Sequence, residues 1–175
     1  MTTVSPSGNT TAAVTYTPIA TNTLSSSAAS VTFSSIAGTF KDLVLVFEGA
    51  ASAAASNGFQ IKINGASGTL QSYTRLQGNG TSATSLINGS GDPACGVIGN
   101  TNRSNIIAQI MNYSNATTYK TILSRYNSLD SSDGRTGAYV NLTRATTAVT
   151  SLLIDLATAN NFISGSTFTL YGIGA

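Results

Sequence analysis

Apolar residues recur at every second position through most of this chain, a period that fits β-strands and not helices. In Phe59-Gln60-Ile61-Lys62-Ile63 the apolar side chains fall on one face and the polar ones on the other. Val31-Thr32-Phe33-Ser34 and Thr167-Phe168-Thr169-Leu170-Tyr171 repeat the alternation. Residues 43–47 form a continuous apolar run, the pattern of a strand covered on both faces. Residues 152–156 are similar except for Asp155. Further strands are expected over 14–23, 71–77, 106–113, 119–126 and 136–144, whereas the only helical hint, 50–55, is short and set among Ser and Gly.

The punctuation between these segments agrees. Asn57-Gly58, Asn64-Gly65, Asn79-Gly80, Asn88-Gly89 and Asp133-Gly134 are pairs that tolerate the positive φ of tight hairpin turns. Asn112 to Thr117 reads as another hairpin loop. About ten short strands at this spacing predict an all-β, single-domain antiparallel β-sandwich or jelly roll over residues 15–175. Residues 1–14 lack a core pattern and read as an N-terminal arm, frayed or docked on a partner. The Gly/Asn/Ser-rich stretch 76–104, anchored only by Leu86, Ile87, Val97 and Ile98, is expected to be a long solvent-facing loop with one edge strand.

Composition narrows the chemistry. The 175 residues include no histidine and no tryptophan, one cysteine, eight basic and six acidic side chains, against fifty Ser or Thr and fifteen Asn. Without histidine, a Ser-His-Asp or Cys-His system is excluded. A glycosidase needs two carboxylates flanking one bond. Asp130 and Asp133 are close in sequence but sit in Leu-Asp-Ser-Ser-Asp-Gly-Arg, the composition of a solvated turn. The same 130–134 loop offers oxygen ligands for a cation but lacks the spacing and closing Glu of a calcium loop, so the turn reading stands. No phosphate-cradling glycine motif opens a helix. The expectation is a chain with no catalytic, cofactor or metal residues: a structural or binding protein and not an enzyme.

A net charge of +2, with Lys41, Lys62, Lys120 and five arginines scattered, is too weak for a nucleic-acid partner. No stretch approaches the roughly 18 apolar residues of a spanning helix, so no membrane partner is expected. The first 17 residues lack the basic and apolar regions of a secretory signal, which predicts cytoplasmic synthesis and unmodified Asn-x-Ser/Thr sites at Asn9, Asn79, Asn88, Asn102, Asn112, Asn115 and Asn141. Cys95 has no intramolecular partner and reads as a small buried hydrophobe. In Asp155 the period turns the carboxylate outward, toward solvent or an arginine of a neighbouring subunit. Seven tyrosines (16, 73, 113, 119, 126, 139 and 171) are expected to lie flat on the sheets with their hydroxyls in water, some forming a patch for sugars or a partner.

Several segments together carry a resemblance: Tyr16-Thr-Pro-Ile-Ala-Thr-Asn-Thr-Leu24, Ala28 to Ile36, Phe40 to Val46, Tyr73-Thr-Arg-Leu-Gln-Gly-Asn-Gly80, Ile110 to Asn115, Tyr119 to Arg125 and Gly165 to Ile173. Across about residues 16–173 the chain resembles a family of β-rich virion proteins of tailed phages of aquatic bacteria, cyanobacterial hosts included. Members are capsid decoration (cement) proteins or distal modules of tail fibres. The resemblance implies a virion protein on the outer capsid surface, made in the host bacterial cytoplasm. It also implies a homotrimer that binds the major capsid protein and stabilises the DNA-filled head. The alternative it leaves is a tail-fibre module that recognises a host surface glycan or receptor. The short lead before the family-like region favours decoration, with Val4, Pro6 and Val14 of the arm as the expected capsid anchors.

Overall fold

A computed structural model describes residues 16–174, apart from 54–55, 67, 90, 92, 101 and 130–133. The arm residues Val4, Pro6 and Val14, and the loop residues Asp130 and Asp133, lie outside the described residues. The described residues form twelve strands: β1 (Tyr16–Thr23), β2 (Ser30–Phe33), β3 (Asp42–Gly49), β4 (Asn57–Ile63), β5 (Gln71–Gly78), β6 (Ala83–Asn88), β7 (Ala94–Ile98), β8 (Ser104–Met111), β9 (Lys120–Leu129), β10 (Gly134–Thr143), β11 (Leu152–Leu156) and β12 (Thr167–Ile173). A single turn of 3-10 helix, Gly68–Leu70, precedes β5. The strands assemble into two antiparallel sheets, one of eight in the order β1-β12-β3-β8-β9-β10-β5-β6 and one of four in the order β2-β11-β4-β7. This is the expected all-β sandwich. A jelly roll, eight strands in two Greek keys, is a finer pattern than this eight-plus-four order spells out.

Period-two alternation decides what each sheet contributes to the space between them. Leu43, Leu45 and Phe47 of β3, Ile106, Ala108 and Ile110 of β8, and Phe168 and Leu170 of β12 point inward from the large sheet. Phe59, Ile61 and Ile63 of β4 and Leu152, Ile154 and Leu156 of β11 answer from the small one. Phe47, Phe59, Phe162 and Phe168 meet at the centre with ring centroids 4.9–5.9 Å apart in tilted or edge-on contacts. Burying each of these rings stabilises the fold by roughly 2–3 kcal/mol before the entropy of ordering is charged against it. Gly137 of β10 is required here: a Cβ would lie 2.6 Å from the Tyr126 ring, which packs flat over the bare backbone.

Two expectations about the chain's punctuation need correction. The stretch 76–104 is not mainly a loop: β5 runs on to Gly78, β6 is an exposed edge strand, and β7 is buried through Cys95, Gly96 and Ile98. Its sparse apolar content hid β7, because Gly96 must be small where Ile106 and Tyr126 press on it. Asn57-Gly58 is no turn either. It opens β4, with the Asn57 side chain fully buried, donating to the Ala53 carbonyl (3.0 Å) and accepting from Thr158 (2.8 Å) and Asn160 (2.7 Å). Asn79-Gly80 does close the β5–β6 hairpin, with Gly80 at φ 88°. Asn112, at φ 50°, opens the β8–β9 hairpin loop as expected.

Candidate functional site

The strands form only two sheets, so the outer face of the large one has no second layer among the described residues. The register of six strand pairs lays two rows of side chains across that outer face. One row runs Tyr171, Val44, Gln109, Leu123, Val140, Thr74, Ile87. The next runs Thr169, Val46, Ile107, Arg125, Ala138, Leu76, Ser85. Leu76, Ile87 and Val140 are 60%, 78% and 51% exposed, far more than a solvated β face requires of its apolar residues. Eight strands at about 4.8 Å spacing and six to ten residues long give a face of roughly 35 by 25 Å. That is close to the roughly 800 Å² per partner of a standard protein–protein interface.

A groove of about 350 Å³ runs along this face between Tyr16, Val44, Ile107, Leu123 and Val140, with Arg125 among its lining residues. Tyr16 leans edge-on against Tyr171, centroids 5.9 Å apart, and forms the groove's aromatic end. Charge is scarce. Glu48 is paired with Arg103 at 2.7 Å, and Asp42 accepts from Gln109 (2.8 Å) and from the Asn112 amide (2.7 Å). Arg125 makes no ion pair with a described residue and sits as a lone cation amid apolar and hydroxyl groups.

The opposite outer face is different in kind. Ser30 and Thr32 are exposed on β2, and Lys62 of β4 donates to Asp155 of β11 at 2.5 Å. The Asp155 carboxylate therefore faces outward as its period requires. Its Oδ2 is paired with a lysine of the same chain on the neighbouring strand.

The tyrosines divide three ways, and only part of the expectation holds. Tyr16 borders the groove with Tyr171 packed behind it, and Tyr119 is exposed. Tyr113 is wholly buried, its hydroxyl donating to the Ala37 carbonyl and accepting from the Phe40 amide at 3.2 Å. Tyr73, Tyr126 and Tyr139 stack inside with centroids 5.4–5.7 Å apart. There the Tyr126 hydroxyl donates to Gln77 Oε1 (2.9 Å), and Arg75 is hydrogen-bonded to Tyr139. Burial pushes the Tyr126 phenol up to about 12 and moves Tyr139 in the same direction.

Lys120 is the residue sequence reasoning missed. Its side chain is fully buried, and its ammonium donates to the carbonyls of Asn115, Thr118 (2.8 Å) and Thr146 (3.1 Å), tying the β8–β9 loop to the segment after β10. Desolvation holds this lysine below its ordinary range. The signal was available, since Lys120 falls in phase with Ile122, Ser124 and Tyr126 on the inward side of β9. Cys95 is buried as expected, near the Pro93 carbonyl and accepting from Asn141 Nδ2, and burial drives its thiol strongly upward.

The described carboxylates Asp42 and Glu48 stand at opposite ends of β3, about 20 Å apart at strand rise, and Asp155 belongs to the other sheet. Among the described residues no group of three His, Cys, Asp or Glu stands close enough to hold a metal ion, and no helix is long and apolar enough to cross a membrane. What this arrangement offers is contact area. No family model, curated protein or solved structure matches the chain.

Proposed function

We propose that this chain is a capsid decoration protein, a non-enzymatic module that binds the outer surface of a phage head and braces it against the packaged DNA. The observation that supports this most is the outer eight-stranded face, interface-sized and crossed by two rows of mixed aliphatic and uncharged polar side chains, with Arg125 unpaired among the described residues. A face held by apolar burial and backbone ladders is little screened by salt, unlike one held by surface ion pairs. That suits a protein working outside a cell. The partners on this reading are the major capsid protein and further copies of the chain, with a trimer implied by the resemblance. The 1–14 arm, through Val4, Pro6 and Val14, adds a second capsid-contacting element to that face.

The test is binding of the purified protein to expanded capsids stripped of it, with host cells assayed in parallel. Saturable capsid binding that raises the heat tolerance of the particle is the expected result. Removal of residues 1–14 is expected to weaken that binding and leave the domain folded. Cell binding without capsid binding would overturn the reading in favour of a tail-fibre module. The exposed Tyr16 ring, backed by Tyr171, is the feature of this surface that would then stack on a sugar.

A further inference from the structure

The two edges of the eight-stranded sheet are protected unequally. β1 carries Pro18, which has no N–H to offer, and a register break between Pro18 and Ala20; both devices discourage an added strand. β6 has neither. Its sequence, Ala-Thr-Ser-Leu-Ile-Asn, contains no proline and no charge, its ladder to β5 is unbroken, and Ala83 to Ile87 are all exposed. The second sheet ends at β7, which packs over β9 and β10, so Leu86 on one side and Ile87 on the other face solvent as well.

Hydrogen bonding fixes which groups this edge presents. The Asn79 amide donates to the Ser82 carbonyl across the turn, and beyond the hairpin's other end the Gly91 amide donates to the Gln71 carbonyl. Alternation along the ladder then turns the N–H and C=O of Ala83, Ser85 and Ile87 away from β5, toward the open side.

We propose that this edge pairs with β6 of a second copy, antiparallel about a two-fold axis at Leu86. In that register Ser85 of each chain exchanges backbone hydrogen bonds with Ile87 of the other. Leu86 meets Leu86 as a non-hydrogen-bonded pair, and the face of each side chain is preserved, as an antiparallel ladder demands. An isologous contact puts each residue near its own copy, so a charge close to the axis would meet itself. β6 has none, and the nearest cation in the ladder, Arg75, is one strand inward. The contact joins two eight-stranded sheets edge to edge and leaves the outer faces of both free. It neither depends on capsid binding nor competes with it.

The experiment uses the full chain in buffer, without capsids, so its outcome is separate from that of the capsid assay. Leu86→Cys places two thiols across the axis at about 4.5 Å between Cα atoms, inside the range a disulfide spans. Cys95 is buried and does not compete. Mild oxidation is expected to link Leu86→Cys into a covalent pair, while Ser85→Cys, which faces Ile87, stays unlinked. Of the backbone hydrogen-bonding groups, Ile87→Pro removes only an outward N–H, and it is expected to raise the dissociation constant at least tenfold in sedimentation, with an unchanged far-UV spectrum. A monomeric wild-type chain at all concentrations, or an assembly in which Leu86→Cys fails to link, would overturn the proposal. So would Ile87→Pro sedimenting as the wild type does.

Discussion

Strands β8 and β6 are written in nearly the same alphabet and meet opposite fates. In β8 the alternation sends Ile106, Ala108 and Ile110 into the core and leaves Ile107 and Met111 outside. In β6 it sends Leu86 one way and Ile87 the other, and neither reaches a second layer. The difference lies in the position each strand takes in an eight-stranded sheet backed by only four strands. Where the second layer exists, apolar side chains stabilise the fold. Where it ends, the same side chains stay exposed.

The largest effect that could break this comparison is a core truncation. Phe168→Ala removes a ring packed on Phe47 and Phe162 and is expected to cost about 3–5 kcal/mol in denaturant unfolding. A smaller loss would mean that the backed half does not carry the stability assigned to it. Lys120→Met comes next. It removes the charged donor shared by three carbonyls and is expected to cost about 2–3 kcal/mol, with faster amide exchange in the β8–β9 loop.

A pH titration probes the same interior. Cys95, Tyr126 and Tyr139 hold their protons more tightly folded than unfolded. Their contribution is therefore intact below the ordinary thiol and phenol range and is lost as pH rises through it, by up to about 1.4 kcal/mol per unit of displacement. Lys120, displaced downward, works in the other direction, since its folded form releases a proton more readily. Three groups against one predict a net fall in melting temperature above about pH 9. A melting temperature that rises there would place these side chains in water. At the small end, Leu76→Ser and Ile87→Ser in the overhanging hairpin are expected to change stability by less than about 0.5 kcal/mol. A larger loss would show that the overhang is part of the core after all.

The alternation made the core legible in advance, since Phe59, Ile61 and Ile63, or Phe168 and Leu170, need no partner to declare their face. Turn chemistry was legible only where strands adjacent in sequence are also paired. Asn79-Gly80 closes a hairpin, whereas Asn64-Gly65 follows β4, whose partners are β11 and β7. Asn57-Gly58 misled because a buried amide with three side-chain and backbone partners satisfies a strand start as well as a turn. The candidate surface was invisible in the sequence for a related reason. Leu123, Val140 and Ile107 look like any outward residues until strand order aligns them. An eight-to-four division of strands is a long-range property that no local pattern encodes.

The central claim is that the uncovered face carries the binding, and Val140→Lys tests it most directly. The side chain lies mid-row beside Leu123 and is half exposed, so the variant is expected to fold and melt like the wild type. Its affinity for stripped, expanded capsids is expected to fall at least tenfold. Capsid binding equal to that of the wild type would contradict the account and move the contact away from this face.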